Sequence, residues 1–338
     1  MLIIMHKDAT AEQVAHVLEK IHSTGAAEGF VSRGELHTVI GVVGDPEQVA
    51  ELPIAAMEGV ERVARVSKAY KLVSHKGHLG TSTIPVGSTS IGPQTFAIIA
   101  GPCAVESEEQ TLAAAHAAKD AGAHILRGGA YKPRTSPYSF QGLEREGLRI
   151  LDVARTETGL PIVTEVLDSR DVEHVAAVAD MLQIGTRNMT NFPLLKEVSL
   201  AGKPILLKRG MTATIEEWLM AAEHIAKNGN SKIVLCERGI RTFETATRNT
   251  LDISSIPVVR EESHLPVIID PSHAAGRKSL VGPLSLAAVA VGADGVMLDV
   301  HCEPEKALVD GPQALIPQEL KELAGDIRAL ADHMGRRY

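Results

Sequence analysis

The sequence predicts an α/β protein: a (β/α)₈ TIM barrel preceded by a small ferredoxin-like, ACT-like α+β domain. Three observations predict it. The chain has 338 residues, room for roughly two domains. From residue 96 onward, eight short apolar runs alternate with stretches of helical period, the size and rhythm of a closed barrel. The first seventy residues read strand, helix, strand, strand, helix, strand, which is the split βαβ order.

In the N-terminal part, 2–6 is a short apolar run. Thr10 is placed to cap a helix that carries Val14, Val17, Leu18 and Ile21 at helical spacing. Strands at 27–32 and 37–43 flank a turn at Arg33-Gly34. Asp45-Pro46 opens a second helix with proline at its favoured first position, and a strand at 60–66 closes the unit. Residues 71–94, rich in Gly, Ser, Thr and Pro, read as a linker with one hairpin. The expected division is therefore a domain at 1–70, a linker at 71–94 and a barrel at 95–338. Barrel strands are expected at 96–100, 124–126, 162–165, 181–184, 205–208, 233–236, 267–270 and 296–299. Helices are expected between them, among them 108–121, 143–158, 215–227 and 283–291. No Gly-x-Gly-x-x-Gly turn follows any of these strands, which counts against an open dinucleotide-binding sheet.

Composition narrows the function classes. Hydrophobic residues make up 44% of the chain, enough for a large core. With 34 Lys and Arg against 42 Asp and Glu, the formal charge is −8, so bulk attraction to nucleic acid or an anionic membrane is not expected. No apolar run reaches the roughly 18 residues of a membrane span. The start has no basic segment followed by a long apolar stretch, as a signal peptide would. Three cysteines, Cys103, Cys236 and Cys302, are too few for a disulfide framework. A cytoplasmic, soluble protein is expected.

Barrel enzymes carry their active site where the strands end. Here those ends are polar almost without exception: Gly101-Pro102-Cys103, Arg127, Glu165, Gln183, Lys208-Arg209, Glu237-Arg238, Asp270 with His273, and Asp299 with His301. Polar strand ends are ordinary, because loops meet water. What is not ordinary in an acidic chain is the run of cations Arg127, Lys132, Arg134, Arg187, Lys208, Arg209 and Arg238. Arginines take phosphates and carboxylates bidentately, and a lysine adds a point charge. The implied ligand is polyanionic. For Arg209, an exposed cation with acidic neighbours is an equal reading. Cys103, His273, Asp299 and Asp310 form a donor set suited to a divalent transition ion, although a lone cysteine is more often a small buried hydrophobe. The loop Tyr131–Pro137 holds Lys132 and Arg134 between two prolines, as a phosphate clamp requires.

These segments resemble a known family. The run from Leu126-Arg127-Gly128-Gly129 through Lys132-Pro133-Arg134-Thr135-Ser136-Pro137 to Gln141-Gly142 is similar to the signature of the type I-beta DAHP synthases. So are Gly101-Pro102-Cys103, Gln183-Ile184-Gly185-Thr186-Arg187-Asn188, Leu207-Lys208-Arg209-Gly210, Cys236-Glu237-Arg238-Gly239 and Asp270-Pro271-Ser272-His273. The resemblance implies an enzyme of aromatic amino acid biosynthesis that condenses phosphoenolpyruvate with erythrose 4-phosphate. It implies phosphoenolpyruvate held by Arg127, Lys132, Arg187, Lys208 and Arg238, with Gln183 beside it. Arg134 and Thr135 would take the phosphate of the sugar. A divalent metal ion (Mn, Co, Zn, Fe or Cd) would sit on Cys103, His273, Asp299 and Asp310. Lys132 would pass a proton to the developing alkoxide, and Glu165 would orient a water or a cation. The N-terminal domain would bind an aromatic amino acid effector, tyrosine or phenylalanine, and the chain would assemble as a homotetramer. The pattern departs in one place: Asp299 stands where the family carries Glu, and Cys302 follows where proline is usual. The sister reaction of KDO 8-phosphate synthase, with arabinose 5-phosphate as acceptor, is the nearest rival. The Pro133-Arg134-Thr135 loop and the Arg241–Glu244 and Thr247–Asp252 segments favour the erythrose 4-phosphate enzyme. A Schiff-base aldolase built on Lys208 is a further alternative.

Overall fold

The computed structural model describes residues 1–34, 37–64, 69–75, 78 and 80–337. They divide into two compact units, Met1–Ala69 and Tyr70–Tyr338.

In the first unit, strands β1 (Leu2–Met5), β2 (Ala27–Arg33), β3 (Thr38–Gly44) and β4 (Val60–Ala64) form one antiparallel sheet in the order β2-β3-β1-β4. Helices α1 (Ala11–His22) and α2 (Pro46–Ala50) complete it. The predicted cap is present: Gln13 N donates to Thr10 Oγ1 at 3.2 Å and Thr10 N donates to Gln13 Oε1 at 2.9 Å, a box of the kind that contributes about 1 kcal/mol. Val14, Val17 and Ile21 form one stripe of α1 and are buried in the same core as Ile3, Met5 and Ile40. The opposite face of the sheet leaves Leu2, Phe30 and Val43 exposed. The last predicted strand ends at Ala64; its residues 65–66 lie outside the described residues.

The second unit is a closed parallel barrel. Its strands are β7 (Ala97–Gly101), β8 (Ile125–Arg127), β9 (Ile162–Glu165), β10 (Met181–Ile184), β11 (Ile205–Lys208), β12 (Ile233–Glu237), β13 (Val267–Ile269) and β14 (Gly295–Asp299). All eight lie where the apolar runs predicted them. Outside them are α3 (Glu108–Asp120), α4 (Glu144–Thr158), α5 (Val172–Val178), α6 (Phe192–Leu200), α7 (Ile215–Lys227), α8 (Ser255–Glu262), α9 (Pro271–Ala275), α10 (Lys278–Ala290) and α11 (Pro317–His333). Strand β14 closes on β7 over five residues, from Gly295 opposite Ala97 to Asp299 opposite Gly101.

A strand shows alternate residues to opposite faces, and this decides which side chains enter the barrel. Ala97, Ile99, Ile125, Val163, Met181, Leu206, Val234, Cys236, Ile268 and Met297 fill the interior. Two residues beyond them, on the same face, come Arg127, Glu165, Gln183, Lys208, Arg238, Asp270 and Asp299. The barrel interior is thus apolar along the strands, and its inward-facing charged side chains stand at the C-terminal rim.

Two expectations are corrected. The described residues within 71–94 belong to the barrel unit rather than to a linker. Their hairpin, β5 (Ile84–Val86) with β6 (Thr89–Ile91), buries Ile84, Val86 and Ile91 against the interior residues. Ahead of it, the carboxylate of Glu223 on α7 accepts three successive backbone N–H groups, of Lys71, Leu72 and Val73, each at 3.0 Å. Composition marked a loop here but not the few apolar residues that anchor it. Helix 283–291 begins earlier, at Lys278, and holds Pro283 inside α10. A proline read as a start instead omits one helical bond in a helix whose packing tolerates it.

Candidate active site

The rim residues surround a cleft of about 450 Å³. Eight cations line it: Arg127, Lys132, Arg134, Arg187, Lys208, Arg238, Arg241 and Arg248. The carboxylates that line it are Glu165 and Asp310. A cleft of this charge in a chain of net −8 concentrates anions. Arg238 points most plainly to an anionic ligand. It is buried, and its Nη1 has no hydrogen-bond partner among the described residues. Burial also pushes its pKa down. A desolvated, unpaired guanidinium N–H is costly until an anion meets it.

The loop after β8 supplies one wall. Lys132 N donates to Gln141 O at 2.8 Å, and the Gln141 amide reaches back to Ser139 O at 2.9 Å and Ser136 O at 3.2 Å. This brace and the prolines place Lys132, Arg134, Thr135 and Ser136 on the cleft. Lys132 is itself buried and donates to Cys103 O at 2.8 Å and to Cys103 Sγ at 3.3 Å. Only glycine fits at 129, where a Cβ would lie 2.7 Å from Cys103 O and 3.0 Å from Lys132 Nζ.

Below the cations lies the donor set. Ligand atoms of Cys103, His273, Asp299 and Asp310 all fall within 4.8 Å of one another. Cys103 Sγ is 3.7 Å from His273 Nε2 and 3.2 Å from Asp310 Oδ2, and His273 Nε2 is 3.5 Å from Asp310 Oδ2. For ligands at roughly 2.0–2.3 Å from a shared divalent ion, these are the separations of a four-coordinate shell. The orientation of His273 agrees: its Nδ1 lies 2.9 Å from Asp270 Oδ2, leaving Nε2 for an ion. The four residues therefore fit a metal. Asp299, although a methylene shorter than glutamate, reaches the set. Its Oδ1 is in contact with Arg127 and its Oδ2 accepts from Gln313 Nε2 at 2.5 Å.

Electrostatics favour the ligand forms of Cys103 and Asp310 and oppose that of His273. Burial alone would raise the Cys103 thiol, but the Lys132 ammonium, the His273 hydrogen bond and charge, and Arg127 outweigh it and bring it down to about 6. Burial also opposes ionisation of Asp310, yet His273, Arg248 and Cys103 hold it well below the usual carboxylate range. Asp270 is held low against burial by His273 and Lys208. Burial would lower His273, and Asp270 reverses this and raises it.

Every predicted substrate residue, Arg127, Lys132, Arg134, Thr135, Gln183, Arg187, Lys208 and Arg238, lines the cleft, as does Glu165. Gln183 Nε2 donates to Glu165 Oε2 at 3.1 Å. Arg209 does not reach the cleft. It follows Lys208 and so faces outward, buried against Glu237 at 3.0 Å and Asp252 at 2.7 Å. His301 is outside the donor set; its Nδ1 accepts from Glu303 N at 3.0 Å. Cys302 is half-buried, its thiol raised by burial and then by Glu303. Sequence reasoning gave no site role to Arg241, Arg248 and Asn249 in the cleft or to Gln313 behind the donor set, and it placed Asp270 at a strand end without assigning it the support of His273. Asp270 was legible as the residue three before His273; Gln313 gave no signal.

The family model described as the DAHP synthetase I family matches residues 45–334, and that of the DAHP synthase ferredoxin-like domain matches residues 1–68. A phospho-2-dehydro-3-deoxyheptonate aldolase of Thermotoga maritima is 50% identical over 335 residues, 99% of each chain. A 2-dehydro-3-deoxyphosphooctonate aldolase of Syntrophotalea carbinolica is 35% identical over 257 residues, 71% of this chain and 92% of that one. The crystal structure of the phospho-2-dehydro-3-deoxyheptonate aldolase (DAHP synthase) from Thermotoga maritima superposes with a TM-score of 0.93 at 48% identity, covering 99% of this chain and 98% of that one. A truncated form of the 3-deoxy-D-arabino-heptulosonate 7-phosphate synthase from the same organism gives 0.74 at 50% identity, covering 79% of this chain and 98% of that one.

Proposed function

The chain belongs to the DAHP synthetase I family, and from that premise we propose that its barrel condenses phosphoenolpyruvate with erythrose 4-phosphate in a metal-dependent reaction. The observation that carries the reading is the unpartnered Arg238 Nη1 in a cleft of eight cations above a four-residue donor set. Arg127, Lys132, Arg187, Lys208 and Arg238 hold the phosphate and carboxylate of phosphoenolpyruvate. Arg134 and Thr135 take the phosphate of the aldehyde sugar. C3 of phosphoenolpyruvate bonds to the aldehyde carbon, and Lys132 delivers a proton to the aldehyde oxygen. Water, oriented by Glu165 and Gln183, adds at C2; the C2–O bond then breaks and inorganic phosphate leaves. Cys103, His273, Asp299 and Asp310 would hold a divalent ion, which would supply Lewis-acid polarisation of the aldehyde. Lys208 is in contact with Asp270 in a buried ion pair, which engages it as a cation and speaks against a Schiff base.

The test is phosphate release from phosphoenolpyruvate with erythrose 4-phosphate or arabinose 5-phosphate, with and without EDTA. Release is expected with the four-carbon acceptor and no chelator. Preference for the five-carbon acceptor would overturn the acceptor assignment, and full activity under thorough chelation the metal assignment.

The pKa directions give the metal reading a pH dependence. A proton on Cys103 competes with the ion. The thiol's depressed value of about 6 keeps the thiolate available above that pH, and affinity falls as pH drops through it. The raised His273 acts with the same sign and starts the fall earlier. Competition of Co²⁺ between the protein and a chromophoric chelator should show this decline, shifted to higher pH in Lys132→Met. An affinity level across the range would remove Cys103 from the set.

We assign the N-terminal unit to binding of an aromatic amino acid, tyrosine or phenylalanine, that inhibits the barrel. Its support is a core of its own and the match to the ferredoxin-like family domain. Because the hairpin at Ile84–Ile91 completes the barrel, the informative truncation begins at Tyr70 and not near Ser90. That shorter chain is expected to fold, turn over and ignore both amino acids where the full chain is inhibited. The coupling lost is on the order of 1–3 kcal/mol, and it is reciprocal between effector and substrate. Inhibition that survives in the shorter chain would place the effector site in the barrel.

A further inference from the structure

Two carboxylates of the donor set are held from behind by one arginine. Arg248 Nη1 donates to Asp310 Oδ1 at 3.0 Å and to Gln313 Oε1 at 3.2 Å. Gln313, almost wholly buried, turns its amide nitrogen to Asp299 Oδ2 at 2.5 Å. The partners fix which way that amide points: its oxygen faces a cation and its nitrogen a carboxylate. Asp310 and Gln313 bracket one short turn, with Asp310 in the left-handed region at φ 55°, a conformation that its environment must maintain.

Arg248 is in turn fastened to the helix that carries His273. Its N donates to Ala275 O at 3.2 Å, Asn249 N donates to Ala274 O at 2.9 Å, and Asn249 Nδ2 reaches His273 O at 3.3 Å. Its aliphatic stem lies on Gly276, the left-handed cap of α9, where a Cβ would come within 2.7 Å of Arg248 Cβ. One residue thus touches the mounting of three of the four donors: the His273 helix through its backbone, Asp310 through its guanidinium and Asp299 through Gln313. It also lines the cleft.

We propose that Arg248 is a positioning residue for the donor set, acting directly on Asp310 and through Gln313 on Asp299, so that both carboxylates stand at ligand distance before an ion arrives. The inference rests on the metal reading above and deepens it. Partners behind metal ligands typically carry about tenfold to a hundredfold in affinity. Arg248 is a candidate that the cleft alone does not reveal, since its charge there resembles that of seven neighbours.

The test compares full-length parent, Arg248→Gln and Gln313→Met for Co²⁺ affinity by chelator competition, and for the visible spectrum of the bound ion. Losses of about tenfold or more in both variants, with an altered spectrum, are expected. Affinities within about twofold of the parent in both would overturn the proposal. If Arg248→Gln melts early when metal-free, Gln313→Met, which keeps side-chain length and leaves Arg248 in place, decides alone. The metal reading is checked separately by parent stoichiometry and its loss in Cys103→Ala. A parent that binds no ion overturns both readings; a parent that binds, beside variants that bind equally, overturns only this one.

Discussion

Replacing Cys103 by alanine is expected to abolish turnover and metal binding together while the barrel stays folded. The packing loss is small, because Cys103 belongs to a minor cluster with Ala104 and Val309 rather than to the main core. The electrostatic loss is large. Cys103 Sγ touches His273, Asp310 and Lys132, and its thiolate would be the soft ligand that distinguishes this donor set from a carboxylate site for a hard ion. Without it, three donors remain. A fall in kcat of about a thousandfold, equal to ~4 kcal/mol of barrier, is the expected scale. EDTA should bring the parent to the same level, and Mn²⁺, Co²⁺ or Zn²⁺ should restore the parent but not the variant. Retention of about a tenth of parental activity by Cys103→Ala would leave the thiol outside the reaction. The melting temperature of the metal-free variant, compared with the metal-free parent, separates loss of the site from loss of the fold.

The sequence carried most of this arrangement because a barrel converts order along the chain into position around a ring. Eight apolar runs located eight strands, and the residues just after them became the rim. Alternation within a strand was the finer rule, and it went unused at Lys208-Arg209. Adjacent residues face opposite sides, so one enters the cleft and the other pairs with Glu237 and Asp252. The same parity puts Glu237 outside and Arg238 inside. Other features had no such rule. Arg241 and Arg248 stand on a long loop after β12, where no period fixes direction. Gln313 acquires its role only through the turn that starts at Asp310. The segment 71–94 has the composition of a linker, yet Ile84, Val86 and Ile91 seat its hairpin on the barrel interior. Where a residue acts through another residue, spacing in sequence says nothing; only contacts do.

Lys132→Met should produce the second large loss, and its form distinguishes what the lysine does. Lys132 Nζ is buried beside Cys103 and opens onto the cleft. The proposed function gives it three roles: holding an anion, keeping Cys103 in its thiolate form, and passing a proton to the aldehyde oxygen. Methionine keeps the length and removes all three. kcat is expected to fall by about 10²–10⁴, the usual scale for general acid–base catalysis, with a rise in KM for phosphoenolpyruvate. Lys132→Arg separates the roles. Its guanidinium restores a positive charge beside Cys103 and toward the substrate, but it does not give up a proton at any pH a protein survives. KM and metal affinity should therefore return toward parental values while kcat stays low. If Lys132→Arg recovers kcat to within about tenfold of the parent, proton delivery belongs to another group. The charge of Lys132 would then be its whole contribution, and the proton would have to come from water or from a residue deeper in the cleft. Measuring kcat and KM separately across pH, for parent, methionine and arginine, decides between these outcomes.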